Sequence, residues 1–598
     1  MVHVMTNSLL ESRYTYHSIL SDVCKTRFNH LATRLLVSAS FSLGLISAIF
    51  CQTCGSKWEY MIVIPFRALL IYLASLLVII TRKNYLHVQY FGYTSILTQF
   101  YGQLCSIKAA AYALIYFFSG LNISHVLHGC FFGITDVESS SLYKFGMWVL
   151  VPLFYAAQHA IFDMDRLSFR HGSQHQHPLR YISGKVKKSS MKCGVLSAII
   201  FFCLPLCSIY ILSSGAPSLF MNFKLTCLSF AIFSIWEFIN VAFDGYLSVG
   251  CLHRGKPLSS FSSTPMEALV TGLSSPKLFT KLTAFQELSY RATSPDLELR
   301  VPLYRTRFRN TSVWPSILKE CLLTVQASNA SVSHFMKNVD TRQERLKRAE
   351  TEKIDDVHID PNTEVLFGNK HVISTGLSTK LPGSHGMPEG LNHRIKLQNN
   401  EVFLGQDHTP SSRPFRISPA PRNSLLTEKT ALLVILNDIS SYFKQLVTTF
   451  FAPGQAEDSA PQISFFDLWR ISKRKQAEKL VPLPVCYAEC LIALMGLLIN
   501  ALEEDPKGSV VSSVGEVLKL LERSVGALGA YAEWEEPSVA NEASLPDAVT
   551  ILYDLSINAF LEVVLRYNDL LNSVYLDEDV VKLSKWVLEI YNEKACMI

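Results

Sequence analysis

The chain has 598 residues, 49% hydrophobic and only 18% charged, with a mean hydropathy of +0.21, whereas an average soluble domain carries about 25% charged residues. Collagen-like, disulfide-scaffold and wholly disordered classes are excluded, because the 14 cysteines are scattered through an otherwise apolar chain. Charge is divided unevenly: residues 1–257 hold 20 Lys and Arg against 9 Asp and Glu (+11), and residues 258–598 hold 35 against 41 (−6), so a hydrophobic front with basic loops precedes a polar rear.

A helix needs about 20 mostly apolar residues to cross a hydrocarbon core about 30 Å thick. Six stretches qualify: 35–56, 60–81, 109–127, 145–162, 193–213 and 225–243. Residues 84–107 are also uncharged, but their Tyr, Gln, Thr and Gly content predicts an interfacial or re-entrant segment. Basic residues collect before the first span (Lys25, Arg27, Arg34), after the second (Arg82, Lys83, Lys108), between the fourth and fifth (Arg166 to Lys192) and after the sixth (Arg254, Lys256). Basic loops stay cytosolic, so six spans with both termini cytosolic satisfy every loop, and a seventh at 84–107 would invert all later ones. The first 30 residues lack a signal-peptide core, and Cys596 stands third from the end, outside a prenylation box. The first span is thus expected to act as the insertion signal. Cys51 and Cys54, in the expected lumenal loop, are either bridged or free thiols.

Charges within spans mark function or packing. Arg67 stands about seven residues into its span, roughly 10 Å deep at the helical rise, within snorkelling reach of the interface. Glu237 lies deeper. Either the two pair across that difference in depth, or each serves packing separately. The most enzyme-like cluster is Gln158 to Arg166 at the end of the fourth span, where His159 and Asp163 are spaced i, i+4 with Asp165 beyond. Such spacing suits metal ligands or an acid/base pair, but it equally suits a polar helix end that holds the following loop. His171, His175 and His177 make a His-rich loop, read as solvated or as metal-binding.

In the rear half, residues 257–293 predict a Ser/Pro-rich loop leading into helices, with helical spacing at 276–291 and 315–335 and an extended or turn segment at 300–311. Residues 340–425 are polar and rich in Pro, Gly, His and Asn, and read as a disordered linker. Its Thr409-Pro410 and Ser418-Pro419 suit either proline-directed phosphorylation or an unmodified spacer. From Glu428 a wide apolar stripe that includes Leu436 and Phe443 predicts a helix that faces its own core, a membrane or a partner groove. Residues 485–502 are nearly all apolar, yet Glu489 and the flanking prolines favour a buried bundle helix over another span. Helical patterns at 510–531, 547–574 and 579–593 complete an all-α tail. No phosphate-binding loop, H-E-x-x-H, dinucleotide fingerprint or zinc-spaced Cys quartet occurs in the sequence. Cys486 and Cys490, one turn apart, read as core.

Six spans, cytosolic ends and a long helical tail resemble the transmembrane nucleoporins of the nuclear division cycle (NDC-one) family. The resemblance is carried by His159, Asp163, Asp165, Leu167 and Phe169 after the fourth span, although Arg170 stands where the family pattern has proline. After the sixth span it is carried by Pro257-Leu258-Ser259, Leu269, Gly272-Leu273, Ala284-Phe285-Gln286-Glu287-Leu288, Arg300, Tyr304 and Trp314. The resemblance implies an all-α polytopic scaffold without catalysis or cofactor. It would anchor nuclear pore complexes in the nuclear envelope, support pore assembly and, in fungi, help insert spindle pole bodies. Its partners would be the nuclear-envelope bilayer, membrane and scaffold nucleoporins and spindle pole body components, with no direct nucleic-acid contact and no small-molecule substrate. A polytopic transporter or lipid-modifying enzyme is the alternative. The expected organisation is a cytosolic N-terminus (1–30), the spans (31–250), a membrane-proximal helical block (251–339), the linker (340–425) and a C-terminal helical domain (426–598).

Overall fold

A computed structural model of the protein describes residues 15–51, 57–93, 96–132, 140–167, 178–212, 217–248, 250–308, 311–357, 473–534, 547–571 and 576–596. Described residues through Cys321 form one compact unit with 473–512, and residues 322–357 form a second with 513–596.

The first unit begins with α1 (Tyr16–His30), which continues through a π-helical stretch (Leu31–Leu36) into α2 (Val37–Cys51). There follow α3 (Lys57–Tyr85), the short α4 (Ile96–Leu104) and α5 (Ile107–Phe132). A single turn (Ser141–Tyr143) and a second π-helical stretch (Lys144–Leu150) lead into α6 (Val151–Ile161). Two long helices, α7 (Pro178–Tyr210) and α8 (Leu219–Leu247), form an antiparallel hairpin.

By length and composition seven described helices suffice to cross a membrane: Tyr16–Phe50, Met61–Tyr85, Ile107–Phe132, Pro178–Tyr210, Leu219–Leu247, Pro484–Glu504 and Ala548–Asn568. The first five coincide with five of the six predicted spans. The remaining one, 145–162, is helical too, but the π-helical stretch divides it, so no single α-helix there reaches span length. Residues 84–107 contain only the nine-residue α4, about 14 Å long at the helical rise and too short to cross. Small residues bring the spans close together. A Cβ on Gly44 would sit 2.9 Å from the Ala68 backbone nitrogen, so α2 and α3 touch backbone to side-chain stub, as helices do where lipid supplies no hydrophobic drive.

After α8 the chain makes a two-residue hairpin, Leu252–His253 against Lys256–Pro257, turned by Arg254 and Gly255, both at positive φ. That pattern is the primed turn that matches strand twist. A 3₁₀ turn (Leu258–Phe261), α9 (Pro265–Leu273), α10 (Leu278–Thr293) and α11 (Leu297–Arg305) complete the block. The segment expected to be extended or turn at 300–311 is therefore helical to Arg305, with strand pairing only between Arg307–Phe308 and Thr311–Ser312.

From Trp314 a long helix, α12 (Trp314–Val357), carries the chain well past residue 340, where the linker was expected to start. Described residues resume at α13 (Lys473–Leu480) and α14 (Pro484–Glu504). Length and composition alone would let α14 cross a membrane, yet Cys490, Leu491, Ala493, Leu497 and Leu498 are fully buried, and a Cβ on Gly496 would lie 3.0 Å from the Ala292 carbonyl oxygen. It is a bundle helix lying along α10. A helix apolar on every side needs cover on every side. Residues 473–512 accordingly group with the first unit rather than with the helices that follow them in sequence.

The second unit holds the rest of α12 with α15 (Val514–Glu533), α16 (Ala548–Leu571) and α17 (Glu578–Cys596). Asn329 Nδ2 donates to Ser524 Oγ at 2.9 Å, and Phe335, Tyr531 and Trp534 form a ring cluster.

Candidate functional site

Two buried polar clusters stand out in the first unit, and both contain residues singled out in the sequence. The first lies where the spans end. Helix α6 stops at Ile161, and Asp163 takes a left-handed conformation (φ 45°) that turns the chain back on itself. Asp tolerates this region better than most residues. The reversal moves Asp163 off the helical face it would share with His159, so the predicted i, i+4 pair is not formed. His159 instead meets Asp165: its Nε2 lies 3.0 Å from Asp165 Oδ1, and its Nδ1 lies 3.0 Å from the Tyr116 hydroxyl. A neutral imidazole protonated on Nε2 satisfies both contacts, donating to the carboxylate and accepting from the tyrosine.

Asp165 is fully buried and is the hub. It also accepts from the Tyr112 hydroxyl, pairs with Lys108 Nζ at 2.9 Å and lies 3.8 Å from Arg82 Nε. Burial by itself would raise its pKa, but the hydrogen bond and charge of His159, the Lys108 ammonium and the Tyr112 hydroxyl outweigh that and hold it below the usual carboxylate range. Asp163 is lowered in the same way: against its burial stand the hydrogen bond from His87 (2.8 Å) and the Lys108 ammonium (3.1 Å). Arg82, fully buried at the end of α3, donates to Asp244 (2.6 Å) and to the carbonyls of Asn240 (2.6 Å) and Met164. A parallel bridge between His87 and Arg166 draws in the backbone: Leu167 N donates to the His87 carbonyl at 3.0 Å. Leu167 itself is buried beneath it. One carboxylate thus ties α3, α5, α6 and, through Arg82, α8.

Deeper in the bundle, Glu237 is buried on α8 and accepts from Tyr155 (3.1 Å), with Ser189 and Lys192 of α7 each at 3.4 Å. Arg67 is elsewhere, donating to the Ser47 carbonyl of α2 at 2.8 Å. The considered Arg67–Glu237 pair is not formed. Arg67 joins α2 to α3, and Glu237 joins α8 to α6 and α7.

The second cluster centres on Glu287 of α10, fully buried. It pairs with Arg291 (3.0 Å), accepts from the Ser259 backbone (3.1 Å) and hydroxyl, and accepts from the Tyr16 hydroxyl of α1 (3.0 Å). Gly272 explains itself beside this clamp: a Cβ there would lie 2.7 Å from the Tyr16 ring and 2.9 Å from the Ala284 Cβ. Leu273, Leu288 and Trp314 are buried core. Arg300 forms a two-pronged pair with Glu504, Nε lying 3.1 and 3.2 Å from its two oxygens, while Tyr304 donates to the Leu497 carbonyl at 2.8 Å, so α11 is fastened to α14. Sequence reasoning missed Arg82, Lys108, Tyr112, Tyr116, Asp244 and Glu504, whose partners are far away in the chain. Arg82, Lys108 and Asp244 were signalled only by their charge at predicted span ends, and nothing in the sequence signalled the two tyrosines or Glu504.

Leu436, Phe443, Phe169, the His-rich loop, the two Ser/Thr-Pro motifs, Cys54 and the side chain of Cys51 lie outside the described residues. Among the described residues no group of three or more His, Cys, Asp or Glu is arranged to hold a metal ion. The polar groups of both clusters face one another across helix boundaries, and their donors and acceptors are used to join elements.

Such features define a polytopic helical membrane protein whose buried ion pairs join its helices. Comparison with known families matches residues 22–585 to the one described as Nucleoporin protein Ndc1-Nup, and the chain belongs to that family.

Proposed function

We propose that this nucleoporin is a membrane anchor of the nuclear pore complex, with both termini and residues 250–598 on the cytosolic side of the nuclear envelope. The reading rests on the family match over residues 22–585 and on one structural observation, that the span helices and the membrane-proximal block form a single compact unit. Glu287 binds α1, which leads into the first span, and Asp165 locks the ends of four helices. A load applied to the block by other nucleoporins is therefore passed to the bilayer through buried ion pairs, which cost several kcal/mol to break. We read it as an anchor, without catalysis or a cofactor. Its partners are the nuclear-envelope bilayer, membrane and scaffold nucleoporins and, where the organism embeds them, spindle pole body components. Support of pore assembly, spindle pole body insertion, and protein and mRNA transport through the pore would follow from that anchoring.

Fluorescent tagging tests it. The expected image is a punctate nuclear rim coinciding with pores, together with loss of pore number on depletion. A reticular or plasma-membrane pattern with normal pores would favour a transporter or lipid-modifying enzyme.

A further inference from the structure

Between Asp165 and Glu237 the sequence contains no acidic residue, while Arg166, Arg170, Arg180, Lys185, Lys187, Lys188 and Lys192 crowd its first part. Five of these seven stand on α7, a helix of 33 residues, about 50 Å long and longer than a span needs. Its two faces differ. Ile182, Cys193, Ser197, Ile200 and Leu204 are buried, whereas Arg180, Gly184, Lys187, Met191, Val195 and Phe202 are exposed. The exposed set recurs at steps of three, four or seven residues and so forms one stripe. Its lower part, Val195 and Phe202, is the apolar surface expected against acyl chains. Its upper part is basic.

The packing of α7 against α8 fixes where that upper part lies. Asn222 Nδ2 reaches the Phe201 carbonyl (2.9 Å), Lys192 meets Glu237 (3.4 Å), and a Cβ on Gly245 would touch the Tyr181 ring at 3.1 Å. In this antiparallel register Gly184 falls just below Gly245, at the level where Asp244 holds Arg82 at the end of α3. Taking α3 and α7 as spans puts this level at their basic ends, where headgroups are met. Gly184 has nothing within 4 Å of a built Cβ, so the stripe has a notch there, with Arg180 one turn to one side and Lys187 one turn to the other.

We propose that this notch seats the phosphate of an anionic lipid headgroup, bridged by Arg180 and Lys187, with the acyl chains lying along Val195 and Phe202. Arg presents parallel N–H donors that match phosphate oxygens, and Lys adds a point charge on a flexible stem. Asp244, the acidic residue at this level, is already held by Arg82, so the basic residues of α7 favour a net negative headgroup over a zwitterionic one. The inference rests on α7 spanning a membrane and is independent of which compartment the basic end faces.

The test uses the full chain, reconstituted into nanodiscs of equal phosphatidylcholine and phosphatidylserine, re-extracted in mild detergent and analysed for retained lipid by native mass spectrometry. The wild type should retain phosphatidylserine preferentially. Arg180→Gln and Lys187→Gln should each weaken that preference about fivefold, the effect of one basic residue near an anionic surface. Gly184→Leu, whose Cβ has open space around it, should abolish it by filling the notch without unfolding the helix. Lys507→Gln, an equal charge change at an exposed position after α14, should leave it unchanged. Equal retention of the two lipids, or a preference that survives all three α7 changes, would overturn the proposal. Failure of the chain to enter nanodiscs at all would overturn both it and the membrane reading of α7.

Discussion

Asp165 shows how much one side chain does in a low-dielectric site. Its carboxylate takes a tyrosine hydroxyl, an imidazole N–H and an ammonium, with a guanidinium nearby. Asp165→Asn keeps the shape but removes the charge, leaving Lys108 short of its nearer partner and placing an amide N–H₂ among donors. We expect a loss of about 3–5 kcal/mol, the usual cost of breaking a buried pair, read as a lowered melting temperature of the detergent-solubilised protein. The pH dependence has a definite sign. A carboxylate depressed on folding contributes its full stability above its unfolded pKa of about 4, and loses it as pH falls through the folded value. The wild-type advantage over Asp165→Asn should therefore be constant from neutrality to about pH 5 and shrink only below about pH 4. A gap that closed well above pH 5 would show that the Asp165 charge is not its source. Gly272 offers a steric test at the same scale. Gly272→Ala forces the Tyr16 ring outward and should cost about 1–3 kcal/mol. Tyr16→Ala, itself destabilising because Glu287 loses a donor, should remove the part of the Gly272→Ala penalty that the ring imposes and leave the part due to the Ala284 Cβ, and fully additive losses would show that the Tyr16 ring is not what demands glycine.

At the scale of elements, what could be read from the sequence was whatever depends on local pattern. Apolar length located the helices at Met61–Tyr85, Ile107–Phe132 and Leu219–Leu247, and the proline-flanked, Glu-bearing run at 485–502 was read as a bundle helix, the role that its burial along α10 supports. What local pattern misses is partnership. Nothing near Asp163 in sequence announces a left-handed residue that breaks the i, i+4 geometry, and nothing near Arg67 says that a backbone carbonyl of α2 would receive it. Likewise, Glu504 becomes significant only once folding brings it to Arg300, some 200 residues earlier in the chain. That pair makes its own prediction. Arg300→Lys keeps the charge but loses the two-pronged geometry, and should cost about 1.5 kcal/mol, the lower end for a hydrogen bond to a charged group. Glu504→Gln should cost a similar amount, and the double variant little more than either alone, because each change removes the same tie between α11 and α14. Independent, summing losses in a double-mutant cycle would mean that the two side chains are not coupled.

For the whole molecule the question is which parts share a side of the bilayer, and two separate arguments meet on it. The first is charge: basic loops flank an even number of spans between residues 30 and 250. The second is contact. Tyr16 donates to Glu287, its backbone N–H reaches Thr271 Oγ1 at 3.3 Å, and Arg27 Nη2 meets the Leu252 carbonyl at 2.5 Å. Helix α1 and the block after α8 are thus bonded to each other, which requires that the chain between them cross the membrane an even number of times, whichever compartment they face. The short α4 adds no crossing, and the π-interrupted helix at 141–161 must then count as one. Sealed microsomes treated with protease test the two arguments separately. Epitopes before residue 15 and between 309 and 310 should be digested together, and one within 133–139 should be protected. If the first two behaved differently, the even count would fail, and with it either the interrupted span or the contacts of Tyr16. If both were protected while 133–139 was cut, the count would stand and the charge argument for a cytosolic block would fall.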